Sequence, residues 1–317
     1  MQLEPDDESE PPFSSLDVSV SRGPPIMPAS HDSSLLSAIA SSFFLDDCPK
    51  VTDWIPSLPA LPSVLDAHES FERTERCYVN DGDSVLANAV VSAEEGTSDP
   101  SVSIRYRRAG PRALNVFAPC DVRAVIVTCG GISPGVNVVI RELVNVLYRQ
   151  YGCTGRRQIL GASFGYEGLY SRNLVELTPA TVEGIHRCGG TVLGTSRGGF
   201  DLEKIADAVE DRKINQVYII GGDGSQRGAL LLHDELRRRG LMAVVAGIPK
   251  TIDNDIYGID KSFGFDTAVE EALRVINAAK TEAQSLLNGI AIVRLMGRQS
   301  GFIAREATHA VRLQMLC

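Results

Sequence analysis

Apolar and polar positions alternate in two distinct rhythms along the chain from residue 123 onward. Short runs rich in Val, Ile and Ala, such as 123–128, have the length and composition of buried strands. Between them lie longer stretches such as 136–151, in which apolar residues including Val139 and Leu143 recur at helical spacing. This pattern predicts strands at 123–128, 158–162, 216–220, 243–248 and 290–295, and helices at 136–151, 201–212, 226–240, 265–287 and 301–313.

This alternation of strand and helix determines the predicted fold class. Strands that are joined through helices by short connections run parallel, and the helices cover both faces of the sheet. We therefore expect an α/β fold in residues 104–317: a three-layer, open, mostly parallel sheet with helices on both faces. Ligands of such sheets bind at the carboxyl ends of the strands, so the residues that follow each strand are the candidate site.

The first 103 residues have a different composition. Residues 1–100 hold 11 of the 16 prolines but only 3 of the 29 glycines, and they contain 19 acidic and 4 basic residues. This composition predicts an acidic, irregular leader that is mostly disordered or draped over the lobe. Within it, 35–44 has the pattern of one short helix. The segment 52–65, which includes Trp54, is typical of a docking segment, with an independent binding module as the alternative.

Charge divides between the same two parts. The whole chain has a net charge of −9, whereas the residues after position 100 include 27 basic and 21 acidic residues. A positive body suits phosphate ligands, but it lacks the interleaved basic and aromatic residues of a nucleic-acid-binding surface. No apolar run approaches the ~20 residues that a membrane-spanning helix needs. We therefore expect neither nucleic acid nor a membrane as a partner.

The cysteines and the N-terminal residues bear on location. The seven cysteines are odd in number and contain no C-x-x-C pair, which favours reduced thiols over a disulfide framework or a zinc site. The acidic residues 1–8 lack the pattern of a signal or transit peptide. We expect a cytoplasmic protein, with a plastid location left open.

Two of the predicted strands end in glycine-rich loops. The strand 123–128 ends in Thr128 and leads into Cys-Gly-Gly-Ile-Ser-Pro-Gly, in which Gly130 and its neighbours allow an anion to approach the backbone at the start of a helix. A plain structural turn explains such a segment equally well. After 216–220 comes Gly-Gly-Asp-Gly-Ser, where the carboxylate of Asp223 would repel a phosphate unless Mg²⁺ lay between them. The alternative for Asp223 is a helix cap.

A third loop carries two carboxylates and a lysine within seven residues. It follows the predicted strand 243–248 and reads Pro-Lys-Thr-Ile-Asp-Asn-Asp, from Pro249 to Asp255. Two carboxylates so close disturb each other's protonation, and an adjacent cation or metal suits one of them to act as a general base. A surface turn is the other interpretation. Together the loops indicate phosphoryl transfer, with Asp223 holding Mg²⁺ and Asp253 accepting the proton of the acceptor hydroxyl.

Four segments follow one another in a specific order along the lobe. They are Gly130-Gly131-x-x-Pro134-Gly135-x-Asn137, Gly221-Gly222-Asp223-Gly224-Ser225, Pro249-Lys250-Thr251-Ile252-Asp253-Asn254-Asp255 and Met296-Gly297-Arg298. This series resembles that of the 6-phosphofructokinases, and the likeness extends from residue 104 to residue 309. The residues around Arg197 and Lys261 are most similar to the plant-type, ATP-using branch. The resemblance implies transfer of the γ-phosphoryl group of ATP to the 1-hydroxyl of fructose 6-phosphate, giving fructose 1,6-bisphosphate in glycolysis.

The resemblance also implies roles for individual residues. Those implied to bind the nucleotide and its phosphates are Gly130, Tyr166, Arg197, Gly198, Gly222, Asp223, Gly224 and Ser225, with Asp223 as the ligand of Mg²⁺. Those implied to bind the sugar phosphate are Lys250, Thr251, Ile252, Asp253, Met296, Gly297 and Arg298. The implied catalytic residues are Asp253 as proton acceptor, Asp255 and Thr251. By themselves, the residues 296–298 also fit a plain strand end and helix start.

Two positions bear on the phosphoryl donor. The resemblance implies an aspartate in pyrophosphate-using relatives where Gly224 stands, and its side chain would occupy the space of the nucleotide's α-phosphate. Lys250, in contrast, is similar to the residue of the pyrophosphate users. The plant-type ATP branch combines this glycine with this lysine. For the choice of donor, steric and charge exclusion of the nucleotide by an aspartate at position 224 should outweigh the one added positive charge of Lys250. ATP is therefore the expected donor, and pyrophosphate is the alternative.

The resemblance further implies a second lobe that contacts the sugar phosphate. This chain ends at Cys317, and Gly289 stands where bacterial relatives place a substrate-binding arginine. We therefore expect a truncated form that lacks the second lobe and is inactive or feeble alone, and a homo-oligomer for the full-length form. A non-catalytic, nucleotide-binding subunit that modulates full-length partners is an alternative. NAD kinases and diacylglycerol kinases share the Gly-Gly-Asp-Gly loop, but the later segments 249–255 and 296–298 argue against them.

Overall fold

The computed structural model describes most of the lobe and short parts of the segment before it. The described residues are 51–67, 78–80, 83–86, 105–108, 110–171, 173–256, 259–298 and 301–315. The helix predicted at 35–44 lies outside the described residues, as does most of the acidic leader. The boundary between residues 103 and 104 therefore stays a prediction.

Nine strands and six α-helices occur in the part of the chain that the structure describes. The strands are β1 (Leu61–Pro62), β2 (Ser84–Leu86), β3 (Arg105–Arg107), β4 (Leu114–Asn115), β5 (Ala124–Thr128), β6 (Ile159–Ala162), β7 (Leu174–Glu176), β8 (Gln216–Gly221) and β9 (Val244–Pro249). The helices are α1 (Val136–Asn145), α2 (Glu167–Tyr170), α3 (Leu202–Asp211), α4 (Asp223–Arg238), α5 (Phe265–Gln284) and α6 (Phe302–Met315). A π-helical turn, Val146–Gln150, extends α1.

Strands β5 to β9 form the central sheet, in the order β7-β6-β5-β8-β9. The strands β6, β5, β8 and β9 are parallel, and β7 pairs antiparallel with β6 at one edge. The register aligns Thr128 with Ile220 and Ile220 with Ile248, so β5, β8 and β9 end at the same level. The predicted open, mostly parallel sheet is confirmed. The pattern did not indicate β7, because three residues are too few to show a period.

The core lies on both faces of this sheet. Every residue of β5 is buried. Val125 faces one apolar cluster together with Ile205 of α3 and Leu232 of α4, whereas Ile126 faces a second cluster with Ile140 of α1. Successive side chains of a strand point to opposite faces, so β5 is covered by helices on both sides, as the sequence predicts.

The predicted helices are present with small changes at their ends. The helix predicted at 226–240 begins three residues earlier, at Asp223, because Gly222 supplies an extended N-cap. Helices α5 and α6 pack on each other through a smaller cluster that includes Phe265 and Ile303. None of the helices among the described residues has both the length and the apolar content that crossing a membrane requires.

The strand predicted at 290–295 is wrong. This stretch follows α5, and no described residue pairs with it in a ladder. Ile290 and Ile292 are 88% and 92% exposed. Their β-branched side chains favour a strand, but a strand is stable only where a neighbour satisfies its backbone hydrogen bonds. Within the described residues, β9 is therefore an edge of the sheet.

The described segment 51–67 contacts the lobe at α4 and the loop that follows it. The indole Nε1 of Trp54 donates to the carbonyl oxygen of Leu241 at 3.3 Å. The ring of Trp54 meets His233 edge-on, with 5.5 Å between the centroids. Further along, β1 pairs antiparallel with β4. The segment thus lies on the lobe through a 3₁₀ turn and a two-residue strand, and only part of it is extended.

Shortening a core leucine of α4 should destabilise the lobe strongly. Leu232 is fully buried, whereas Leu230 on the same helix is 62% exposed. We expect Leu232→Ala to lower the free energy of unfolding by about 2–5 kcal/mol, because it removes buried methyl groups and leaves a cavity. Leu230→Ala is the matched control and should change it by less than about 0.5 kcal/mol. Denaturant unfolding followed by circular dichroism measures both, and equal losses would contradict this packing.

Candidate active site

The candidate site lies at the carboxyl-terminal ends of the neighbouring strands β5, β8 and β9. Because these neighbouring strands are parallel and end in register, the three loops that follow them emerge side by side. Backbone hydrogen bonds join the loops: the Cys129 amide donates to Ile220 and the Lys250 amide donates to Gly221, each at 2.9 Å. The predicted phosphate, metal and base loops therefore share one edge.

The glycine turn after β5 is set by its backbone conformation. Gly130 has a φ of +80°, in the left-handed region that glycine adopts without strain. Its amide donates to the carbonyl oxygen of Ser196 at 3.0 Å. Its own carbonyl oxygen accepts a hydrogen bond from Oγ1 of Thr195 at 2.7 Å. The turn is thus joined to the loop that carries Arg197.

Two cationic side chains converge on this turn. A side-chain carbon at Gly130 would lie 3.8 Å from Nζ of Lys250, and one at Gly131 would lie 3.9 Å from Nη2 of Arg197. Lys250 is buried, and its Nζ donates to the carbonyl oxygen of Gly131. Burial lowers the pKa of Lys250, and the charge of Arg197 also acts to lower it. Two cations beside a glycine turn at a helix N-terminus can bind a phosphate.

Tyr166 lies beneath the loop that follows β8. Its phenol donates to the carbonyl oxygen of Ser225 at 2.8 Å, and its ring packs edge-on against Phe200 with 5.0 Å between the centroids. Burial raises the pKa of Tyr166, so its hydroxyl keeps its proton and remains a donor. These contacts make Tyr166 a support for the first turn of α4.

The start of α4 presents one carboxylate and one open position. Asp223 is the first residue of the helix, and 54% of its side chain is exposed. The N-cap is Gly222, so the helix-cap interpretation of Asp223 is wrong. Apart from its chain neighbours and the backbone of its own helix, no described atom lies within 4 Å of the place that a side-chain carbon at Gly224 would occupy. The free amides of the first turn carry a partial positive charge that attracts an anion.

The loop after β9 is held by hydrogen bonds from its own side chains and from Ser262. The Asp253 amide donates to Oγ1 of Thr251 at 3.0 Å. Oγ of Ser262 donates to the Thr251 carbonyl oxygen at 2.7 Å, and the Ser262 amide donates to Oδ1 of Asn254 at 2.8 Å. Asn254 has a φ of +53°, which Asn tolerates better than most residues. Sequence reasoning gave neither Ser262 nor Asn254 a role of its own, because their partners are set by the loop's conformation.

The guanidinium of Arg298 joins the three carboxylates of the site. Its Nε donates to Oδ2 of Asp253 at 2.8 Å. Its Nη1 lies 3.3 Å from Oδ2 of Asp223, and its Nη2 lies 3.4 Å from Oδ2 of Asp255. The hydrogen bond to Asp253 is the main cause of a raised pKa of Arg298. Asp223 and Asp253, which lie on different elements, therefore meet at one guanidinium.

The remaining sequence-predicted residues are distributed more widely. A side-chain carbon at Gly297 would lie 3.7 Å from Oδ1 of Asp253, so this backbone passes close to the carboxylate. Met296 is 79% exposed. Ile252 packs against the cluster between α5 and α6, and Gly198 has open space around it. Of these four residues, only Gly297 lies against the carboxylates.

The residues present fit a magnesium ion whose ligands are mainly phosphate oxygens and waters, with few ligands from the protein. No group of three or more His, Cys, Asp or Glu suited to holding a metal occurs within the described part of the chain. Mg²⁺ bound with nucleotide phosphates takes one or two protein carboxylates and keeps several waters. Asp223 is an exposed carboxylate at a helix N-terminus, and it meets that requirement.

Comparison with known proteins gives one family. A family model described as Phosphofructokinase matches residues 123–316. The chain is 52% identical over 270 residues to ATP-dependent 6-phosphofructokinase 4, chloroplastic, of Arabidopsis thaliana, which covers 85% of this chain and 49% of that protein. It is 51% identical over 270 residues to ATP-dependent 6-phosphofructokinase 7 of the same plant, and this alignment covers 85% of this chain and 54% of that protein. The chain spans about half the length of these curated relatives.

Solved structures share the fold. Phosphofructokinase of Pichia pastoris in the T-state is similar with a TM-score of 0.50 at 24% identity, over 60% of this chain and 22% of that chain. The pyrophosphate-dependent phosphofructokinase of Marinobacter aquaeolei gives a TM-score of 0.51 at 19% identity, over 60% of this chain and 49% of that chain. At these identities the likeness concerns the fold alone.

The thiol at the start of the glycine turn should resist alkylation. Burial raises the pKa of Cys129 to about 12 and that of Cys153 to about 11, so both stay protonated near neutral pH. Cys120 and Cys188 are exposed. With iodoacetamide at about pH 8, we expect Cys120 and Cys188 to react and the two buried thiols to stay unmodified, because only the thiolate attacks. Peptide mass spectrometry reads each site, and unfolding in denaturant should make all four react. Rapid labelling of Cys129 in the folded chain would contradict its burial.

Proposed function

The chain belongs to the phosphofructokinase family, and on that premise we propose that it is an ATP-dependent phosphotransferase. The proposed reaction moves the γ-phosphoryl group of ATP to the 1-hydroxyl of fructose 6-phosphate and gives fructose 1,6-bisphosphate. Relatives named ATP-dependent 6-phosphofructokinases support this donor and acceptor. The observation that carries the proposal is the meeting of Asp223 and Asp253 at Arg298. Phosphoryl transfer to a hydroxyl needs one group for a metal and one for a proton in the same cleft.

We assign the donor to the loops after β5 and β8. The N-terminus of α4 directs amides toward phosphate oxygens, the glycine turn lets a phosphate approach the backbone, and Arg197 and Lys250 add positive charge. The proposed nucleotide contacts are Gly130, Arg197, Gly198, Gly222, Asp223, Gly224 and Ser225, and the buried Tyr166 belongs to the same site as their support from beneath. Asp223 would hold Mg²⁺, which when bound neutralises charge on the transferring phosphoryl group.

We assign the acceptor to the loop after β9 and to residues 296–298. Asp253 accepts the proton of the 1-hydroxyl, because it is the buried carboxylate of the cleft and its amide is tied to Thr251. Asp255 adds a second carboxylate beside the same guanidinium. The proposed sugar-phosphate contacts are Lys250, Thr251, Ile252, Met296, Gly297 and Arg298. A guanidinium suits the 6-phosphate because it binds phosphate at two points.

Location and assembly are part of the proposal. We place the reaction in the cytoplasm. A plastid remains the alternative, since one similar relative is named chloroplastic and another is not. We also propose a homo-oligomer for the full-length form. Exposed apolar side chains at Leu286, Leu287 and Ile290 fit a subunit interface of this kind, and they equally fit a surface that the expected second lobe covers.

An aspartate at position 224 should weaken ATP binding through its charge. The open space around Gly224 accepts a side chain, but a carboxylate there would face the phosphates. We expect Gly224→Asp to lower the affinity for ATP by about tenfold or more, as for two like charges separated by a few ångströms near a protein surface. Gly224→Ala separates size from charge and should have a much smaller effect. Isothermal titration calorimetry measures both affinities, and equal affinities in the two variants would argue against a phosphate at this position.

Removing the proposed base should slow the reaction without abolishing donor binding. We expect Asp253→Asn, introduced into a form of the protein with measurable turnover, to reduce that turnover by about 10²- to 10⁴-fold, the range for a lost general base. The matched control is Asp234→Asn, which changes an exposed aspartate on α4 outside the cleft. Formation of fructose 1,6-bisphosphate in a coupled assay gives the rates, and calorimetry gives the ATP affinity. Unchanged turnover in Asp253→Asn would exclude Asp253 as the proton acceptor.

A further inference from the structure

Arg298 holds its three carboxylates unequally. Its bond to Asp253 is 2.8 Å long, and only 6% of the Asp253 side chain is exposed. Its contacts with Asp223 and Asp255 are longer, at 3.3 and 3.4 Å, and 54% of the Asp223 side chain is exposed. Water and salt weaken exposed ion pairs far more than buried ones. Arg298 is therefore anchored on Asp253 and holds Asp223 loosely.

The contact with Asp223 conflicts with the binding of a metal. The inference rests on the proposed function, which gives Asp223 to Mg²⁺. In the structure, Nη1 of Arg298 is directed at Oδ2 of Asp223, which is one of the two oxygens that a metal could use. A divalent cation at Asp223 would also stand next to a positive guanidinium, which is unfavourable. Metal binding at Asp223 is therefore easier once Nη1 has left.

A phosphate can draw Arg298 away from Asp223. The guanidinium presents its donors as a planar fork, and a phosphate accepts two of them at once. The anchor on Asp253 uses Nε, so Nη1 and Nη2 are the nitrogens with the weaker partners. When a phosphate binds, Nη1 and Nη2 would therefore lose their long contacts with Asp223 and Asp255 and form two charge-assisted hydrogen bonds with the phosphate.

We propose that Arg298 is a positioning residue that couples the two substrates. Before they bind, it neutralises Asp223. When the phosphate of the acceptor takes its terminal nitrogens, it releases Asp223 to the metal–nucleotide. By linkage, the acceptor and the metal–nucleotide then strengthen each other's binding, and couplings of this kind are typically about fivefold or more.

The test measures how far magnesium improves nucleotide binding. Isothermal titration calorimetry gives the Kd of an ATP analogue with an imido group between its β and γ phosphorus atoms, first with EDTA and then with Mg²⁺. The ratio compared between variants is the Kd with EDTA divided by the Kd with Mg²⁺, and the control variant Arg294→Gln shows how far removal of one positive charge changes it by itself. We expect Arg298→Gln to raise this ratio about fivefold or more, because Asp223 is no longer paired. Arg294→Gln, in the same exposed stretch, is the matched control and should leave the ratio unchanged.

Two further arms make the test specific. Asp223→Asn should bring the ratio near one, and adding Arg298→Gln to that variant should then have no effect. Fructose 6-phosphate should raise the ratio of the wild-type chain and leave that of Arg298→Gln unchanged. Arg298→Lys, which keeps the charge but loses the fork, should give an intermediate ratio. Circular dichroism checks that each variant is folded.

The outcomes separate this inference from the proposed function. If Arg298→Gln leaves the ratio unchanged or lowers it, or if fructose 6-phosphate binds to the wild-type chain by calorimetry without altering its ratio, the coupling by Arg298 is wrong while nucleotide binding stands. If the wild-type chain binds no nucleotide with or without Mg²⁺, the proposed function is wrong and the inference falls with it.

Discussion

The parallel register of β5, β8 and β9 is the constraint on which the rest of the molecule depends. Because Thr128, Ile220 and Ile248 are aligned across the three strands, loops from distant parts of the chain leave the sheet at one level. The same register is enforced by packing, since β5 is buried on both faces. A slip of one residue would move Val125 and Ile126 into each other's clusters. Burial of apolar side chains thus determines where the polar residues of the site meet.

The site is organised around opposite charges that lie close together. Lys250 and Arg197 flank the glycine turn, and the carboxylates of the cleft surround a single guanidinium. An unpaired carboxylate next to a phosphate site would repel its ligand, so a cation has to accompany it. Arg298 meets this need in the chain itself, and a magnesium ion would meet it in the proposed reaction. The two arrangements share Asp223, which is why its weak contact with Arg298 matters for function.

The loop after β9 shows how local sequence and distant contacts combine. Its residues Thr251 and Asn254 make turn-forming hydrogen bonds that their side chains favour anywhere. Their partner Ser262 arrives from beyond the loop and fixes its conformation. Asp253 is buried as a result, although an aspartate in a polar loop is exposed by default. The position and burial of the proposed base therefore depend on contacts that the loop alone does not make.

The sequence by itself determined the fold class, the order of the main strands and helices, and the three loops that carry the site, because hydrophobic periodicity and glycine chemistry act over a few residues. Tertiary structure decided the rest. The stretch 290–295 has a strand pattern but no neighbour to pair with, so it is not a strand. The partners of Arg298 lie 43 to 75 residues away in the chain, and only the tertiary structure, which returns residue 298 to the loops after β8 and β9, brings them within reach. Lys250 is buried for the same reason: its surroundings come from β5 and its glycine turn, which no local pattern around residue 250 specifies.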